Sequence, residues 1–122
     1  MKHVLVAEDD PSILLSVEFL LTEAGYSVTT AMNGRDAFAV AQADIPDLLI
    51  LDIMLPFMDG FEVCRRVREI PALAGMRIVM LTARGREHET THGLALGANA
   101  YLTKPFATRE LMRVVGDLLE SC

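Results

Sequence analysis

Tryptophan is absent from this 122-residue chain, and tyrosine and cysteine occur only twice each. Two thiols, Cys64 and Cys122, make no disulfide framework, and nothing else points to export, so a reducing cytosol is the expected compartment. Five Phe and two Tyr without Trp offer no aromatic platform on which nucleobases could stack. Positive charge is scarce too: 11 Lys and Arg stand against 17 Asp and Glu, a net charge of −6. Such an acidic chain is a poor nucleic-acid binder, so no direct nucleic-acid contact is expected. Long apolar runs are also missing. The longest, Ile13 to Leu21, is broken by Ser16 and Glu18 and falls short of the ~20 residues that a membrane span needs, so no membrane role is expected. Val4 to Ala7 follow Lys2, but Glu8-Asp9-Asp10 comes too early for a signal-peptide apolar region. No Gly-x-Gly-x-x-Gly follows a strand, which argues against a dinucleotide-dependent enzyme.

What is there is apolar content of 52% with 23% charged residues. That composition excludes disorder and supports one domain, residues 1–122, with a core of its own. Short apolar runs alternate with helical patterns. His3 to Ala7 reads as a buried strand. Asp10 then reads as an N-cap, with Pro11 at the first helical position. Ile13, Val17, Leu20, Leu21 and Ala24 follow at helical spacing, and Gly25 stops the helix. Tyr26 to Ala31 reads as a second strand. Asn33-Gly34 turns the chain into a helix bearing Ala37, Phe38 and Ala41. Leu48 to Leu51, four apolar residues in a row, marks a strand covered on both faces. Asp59 is placed to cap a helix bearing Val63, Val67 and Ile70. Arg77 to Leu81 reads as the fourth strand, His88 to Leu96 as a weaker helix, and Ala100 to Leu102 as the fifth strand. The last helix carries Leu111, Val114, Val115, Leu118 and Leu119. Five strand–helix units predict an α/β fold, a parallel five-stranded sheet in order 2-1-3-4-5 with helices on both faces. In such sheets ligands bind at the carboxyl ends of the strands, where the order reverses.

Those ends carry polar residues. Strand one runs into Glu8-Asp9, strand three into Asp52, strand four into Thr82, and strand five is followed by Lys104. Each has an ordinary reading alone: a helix-end charge, a turn residue, a β-branched strand residue, a solvated lysine. Together they fall at one end of the sheet and none at the other. Three close carboxylates repel one another unless a cation joins them. Mg²⁺ suits few carboxylates and several waters, and a main-chain carbonyl just after Asp52 could add a ligand. Such an ion leaves positions for phosphoryl oxygens, with Lys104 and Thr82 supplying charge and a donor. An Asp carboxylate can itself be the nucleophile.

From Val4 to about Leu119 the chain resembles the receiver domain of two-component response regulators. The resemblance rests on Val4-Leu5-Val6-Ala7-Glu8-Asp9-Asp10, Asp47 to Pro56, Met58-Asp59-Gly60-Phe61-Glu62, Leu81-Thr82-Ala83, Gly97-Ala98 and Tyr101 to Phe106. It implies a flavodoxin-like three-layer α/β/α sandwich and phosphoryl transfer to Asp52 from a sensor histidine kinase or histidine phosphotransfer protein. It also implies that Glu8 and Asp9 position Mg²⁺, with Mn²⁺ as a substitute, and that Met54 adds its backbone carbonyl. Thr82 and Lys104 match the switch hydroxyl and the phosphate-binding lysine, and Tyr101 the aromatic switch. Lys104-Pro105 matches a bond that is cis in the family. The product is a self-dephosphorylating aspartyl phosphate rather than a turnover enzyme. Its output is a change in the face of the fourth helix, fifth strand and fifth helix, read by a protein target or a separate effector domain.

Some positions depart from the family pattern. Phe57 stands where Gly is common, either packed over its loop or presented to a partner. Leu15 and Phe19 lie outside the helix-one stripe and form a candidate patch for a helical phosphodonor. Ala100 and Val114 replace an acid and an arginine that one DNA-binding subfamily uses for dimerisation, which weakens the case for that mode. The chain stops directly after the last helix, so no effector domain is expected within it. Ala107 stands where a capping Ser is common, leaving Thr108 to cap one residue late. Arg65, Arg66 and Arg68 read as a solvated helix face. His3, His88 and His92 have no second ligand type at metal spacing. Cys64 reads as a small apolar residue and Cys122 as an oxidisable terminal thiol. The alternative function is a pseudo-receiver, the same fold binding proteins without phosphorylation. A flavin protein is opposed by Glu8-Asp9-Asp10, which would repel a flavin phosphate.

Overall fold

A computed structural model describes residues 1–120; Cys122 lies outside the described residues. The strands are β1 (His3–Ala7), β2 (Ser27–Ala31), β3 (Leu48–Asp52), β4 (Arg77–Ala83) and β5 (Ala100–Lys104). The helices are α1 (Pro11–Glu23), α2 (Gly34–Asp44), α3 (Gly60–Glu69), α4 (Glu87–Ala95) and α5 (Thr108–Glu120), with a 3₁₀ turn at Pro71–Leu73. The sheet is parallel in order β2-β1-β3-β4-β5. No helix among the described residues is long and apolar enough to cross a membrane.

Strand pleating divides the core in two. Leu5, Ala7, Leu49, Leu51, Ile78 and Met80 face one layer, where Ala37, Ala41, Val63 and Val67 of α2 and α3 cover them. Val4, Val6, Leu48, Ile50, Val79 and Leu81 face the other, under Leu14, Val17 and Leu21 of α1 and Leu111, Val115 and Leu119 of α5. A strand covered on both sides has no polar position to spare, hence the unbroken run from Leu48 to Leu51. Each such Leu or Val contributes roughly 1.5–3 kcal/mol by leaving water.

The caps expected at Asp10 and Asp59 form, and Asn33 caps α2 as well. Asp10 accepts from the Ser12 and Ile13 amides, Asn33 from Asp36 and Asp59 from Glu62. Four expectations need correction. Leu14 is buried while Ala24 is exposed, because Ala24 caps the end of α1 rather than extending its stripe. Tyr26 precedes β2, its amide donating to Leu21 O instead of the ladder. Thr108 opens α5 rather than capping it, and the carbonyl of Ala107 accepts from Leu111.

Arg68 is the fourth, and it is no solvated side chain. Its guanidinium donates to Gly97 O at 2.9 Å, Met76 O at 2.7 Å, Ala74 O at 3.4 Å and Asn99 Oδ1 at 3.0 Å. Burial holds its pKa below the ordinary arginine value. The residue therefore ties α3 to the segments leading into β4 and β5. Arg68→Ala is expected to lower stability by about 2–4 kcal/mol in urea unfolding, because four carbonyl acceptors lose a charged donor. Arg68→Lys should recover less than half of that, since an ammonium lacks the guanidinium fork. A loss under about 0.5 kcal/mol for the alanine variant would contradict the clamp.

Candidate functional site

The register brings the acidic residues together. Ala7 pairs with Leu51 across β1 and β3, so the residues that follow, Glu8 and Asp52, leave the sheet side by side. Ala83 of β4 pairs with Lys104 of β5 at the same edge. Glu8, Asp9 and Asp52 each present a carboxylate oxygen within 4.8 Å of the others. Glu8 and Asp52 are buried, at 1% and 4% exposure, and Asp9 is open to solvent. Lys104 Nζ lies 2.7 Å from Glu8 Oε1 and 3.1 Å from Asp52 Oδ2. Glu8 Oε2 accepts from the Asp10 amide at 3.0 Å. A cavity of 520 Å³ opens over this group, lined by Glu8, Asp9, Asp52, Met54, Glu89 and Lys104 among others.

Charge is unevenly balanced here. Burial pushes the Glu8 carboxyl above its ordinary value, with Asp52 adding to the rise while Lys104 and the Asp10 amide oppose it. Burial alone would lower the Lys104 ammonium, but Glu8 and Asp52 outweigh it and hold its pKa above the ordinary lysine value. One ammonium faces three carboxylates. Glu8 Oε1, fully buried, has no hydrogen-bond donor among the described residues beyond its ion pair with that ammonium. An all-oxygen donor set with surplus negative charge, one open carboxylate and a cavity roomy enough for water fits a hard divalent cation. Met54 lines the cavity while its side chain projects into solvent.

Of the residues singled out in the sequence, Glu8, Asp9, Asp52, Met54 and Lys104 converge. Thr82 does not line the acidic cavity, although its neighbours Leu81 and Ala83 do. Its hydroxyl donates to Leu102 O at 3.5 Å and lies 3.4 Å from Thr103 Oγ1. Tyr101 projects outward, 46% exposed, at the rim of a separate 410 Å³ hollow that Thr82 also lines. Lys104-Pro105 is cis. Leu15 and Phe19 are exposed on α1. Phe57 is not packed over its loop: it is 77% exposed, with the Arg35 guanidinium 4.6 Å above its ring. Its φ of 69° is costly for a residue with a β-carbon, consistent with the glycine that the family commonly has there.

Sequence reasoning missed one carboxylate, Glu89. It sits in α4, whose apolar periodicity is weak, and a charged residue there reads as solvated. It is 4% exposed and lines the same cavity.

The sequence profile of the response regulator receiver domain family matches residues 4–116. The chain is 44% identical over 119 residues to the phosphate regulon transcriptional regulatory protein PhoB of Rhizobium meliloti, covering 98% of this chain and 52% of that one. It spans about half the length of the curated relatives it matches. The chemotaxis response regulator CheY4 of Vibrio cholerae shares the fold at a TM-score of 0.91 and 37% identity, over 98% of this chain and 99% of that one. The receiver domain of a sensor histidine kinase from Pseudomonas aeruginosa superposes at a TM-score of 0.89 and 30% identity, over 98% of each chain, and was solved with a magnesium ion coordinated in its active site cleft. A profile match over nearly the whole chain, on a sheet of the same order, makes this protein a member of the response regulator receiver domain family.

Proposed function

We propose that Asp52 accepts a phosphoryl group from the phosphohistidine of a sensor kinase or phosphotransfer protein. Members of the family are phosphoacceptors, and receiver domains bind Mg²⁺ at an acidic pocket. The observation that carries the reading is the pairing of a buried Asp52 carboxylate with Lys104 at 3.1 Å, beside two further carboxylates in one open cavity. Glu8, Asp9, Asp52 and the Met54 carbonyl would hold Mg²⁺, or Mn²⁺ in its place. The ion supplies positive charge against the phosphoryl oxygens.

In this reading an Asp52 oxygen attacks phosphorus in line. The P–O bond forms as the P–N bond to the donor imidazole breaks, and the imidazole leaves with the electron pair. Lys104, already between Glu8 and Asp52, follows the phosphoryl group as a counter-charge. The group adds an anion with strong acceptors. Thr82 gives up its long contacts to Leu102 and Thr103 and turns toward it, and Tyr101 rotates into the vacated hollow. The face of α4, β5 and α5 repacks, a population shift that a downstream protein or effector domain reads. Hydrolysis of the acyl phosphate resets the switch.

Intact mass after incubation with acetyl phosphate and Mg²⁺ tests this. The wild type is expected to gain one phosphoryl group, and Asp52→Asn none. A wild type that gains no mass points instead to a phosphorylation-independent binding module.

The donor would dock on α1. Leu15 and Phe19 project from it, and Ser12, Ile13, Ser16 and Leu20 form a groove with Pro105 and Phe106 at its edge. Phe57, exposed in the loop after β3, would offer the partner a further apolar contact. Leu15→Asp or Phe19→Asp is expected to slow transfer from the cognate kinase roughly tenfold or more, as loss of a buried apolar anchor does. Phosphorylation by acetyl phosphate should be unchanged. Equal loss with both donors would show that the substitution damages the domain rather than the docking.

A further inference from the structure

A further carboxylate in the acidic cavity, Glu89, has a specific hold. Glu89 Oε1 accepts from the main-chain N–H of Ala83 at 3.4 Å, and Oε2 pairs with Arg86 Nη2 at 3.1 Å. Ala83 ends β4, lines the cavity and sits opposite Lys104 in the ladder. At a strand end an N–H has no ladder partner to return to, and an unpaired one costs free energy. This one points at an anion, and the anion it finds is a side chain of the same protein. Glu89 is 4% exposed, so its charge is not dissipated in solvent. Its only described counter-charge is Arg86, which lies on the solvent side.

A phosphoryl group on Asp52 would be a second anion in the same cavity. Its oxygens need donors, and the Ala83 N–H is one on the cavity wall. Two anions cannot both keep that donor, and at short range in a sheltered site they repel strongly. We infer that Glu89 is an internal stand-in for the phosphoryl group: it occupies the Ala83 amide in the unphosphorylated chain and withdraws toward Arg86 when a phosphoryl oxygen takes that amide. The inference rests on Asp52 being the phosphoacceptor. Glu89 is then a positioning residue that sets how readily the site accepts a phosphoryl group. Arg86 does the opposite, offsetting the charge that the incoming group must face.

The two residues are thus expected to act with opposite signs, which a merely structural pair would not do. The rate of mass gain with acetyl phosphate and saturating Mg²⁺ is the readout, checked by beryllofluoride affinity in calorimetry. Glu89→Gln, nearly isosteric, should react roughly three- to tenfold faster than wild type, and Glu89→Ala at least as fast. Arg86→Ala should react slower by a similar factor, because the buried carboxylate loses its partner. Beryllofluoride affinities should fall in the same order. If Glu89→Ala fails to fold, Glu89→Gln decides alone. A wild type that takes up phosphate while the Glu89 variants react no faster overturns the stand-in and leaves Asp52 as acceptor. A wild type that takes up none overturns both.

Discussion

Gly60→Ala is expected to abolish phosphorylation of Asp52 and to cost at least about 3 kcal/mol of stability. Gly60 opens α3, where Asp59 caps the helix, and its amide donates to Ile53 O at 2.8 Å. A β-carbon there would lie 2.4 Å from the Asp52 carbonyl oxygen and 2.8 Å from Ile53 Cα. Those are main-chain atoms, so no side-chain rotation relieves the contact. Either α3 moves away or the end of β3 moves. The second course shifts Asp52 itself, and a displacement of about 1 Å is enough to cost a reacting group ~10²-fold. Urea unfolding and mass gain with acetyl phosphate measure the two effects. Gly75→Ala is the control, because a β-carbon at Gly75 meets nothing within 4 Å; it should change neither. Wild-type phosphorylation in a folded Gly60→Ala protein would mean that the turn after Asp52 has slack that the distances deny.

This coupling shows why parts of the molecule were readable from sequence and parts were not. β1 and β3 are apolar runs that stop at acids, and both layers of the core require those runs, so the strands and the acidic edge emerged together. Asp10, Asn33 and Asp59 cap helices by accepting, at their side-chain oxygens, from main-chain amides two or three residues on, a purely local event. The ends of β4 and β5 were set too early, at Leu81 and Leu102. Thr82, Ala83, Thr103 and Lys104 continue the ladders without an apolar signature, because they serve the edge rather than the core. Arg68 was read as solvent-facing, and Glu89 was passed over, for another reason. Helix periodicity says which way a side chain points, and only tertiary placement says whether a loop or a strand end covers it. The hydrogen bonding of Thr82 escaped likewise: spacing put it at the edge, and only the neighbouring strand shows its hydroxyl against Leu102 and Thr103.

Lys104→Met is expected to have the largest effect on the charge balance. Its ammonium is the nearest counter-charge to both Glu8 and Asp52, and removing one partner of a buried ion pair leaves the other stranded. In EDTA the variant should lose about 2–4 kcal/mol. The pH dependence fixes the cause. Burial already holds the Glu8 pKa above its ordinary 4.5, and loss of Lys104 removes a force that lowers it, so it rises further. A carboxyl whose folded-state pKa is raised contributes stability that is complete below its unfolded pKa and is lost as pH climbs through the folded one. The deficit of Lys104→Met should therefore be smallest near pH 5 and largest near pH 8. Wild type has a second edge of the same sign, at higher pH. Its Lys104 pKa lies above the ordinary 10.5, so the stabilisation from the pair persists through neutral pH and fades only in strong alkali. Adding Glu8→Gln to Lys104→Met should recover most of the loss at pH 8, since a neutral amide needs no ammonium. Mg²⁺ should raise the melting temperature of Lys104→Met more than that of wild type, because it meets less positive charge in the cavity. Phosphorylation should still fall ~10²-fold or more in the single variant, as the phosphoryl oxygens lose their fixed cation. A deficit equal at pH 5 and pH 8, unrelieved by Glu8→Gln, would mean that Lys104 holds the site by packing rather than by charge.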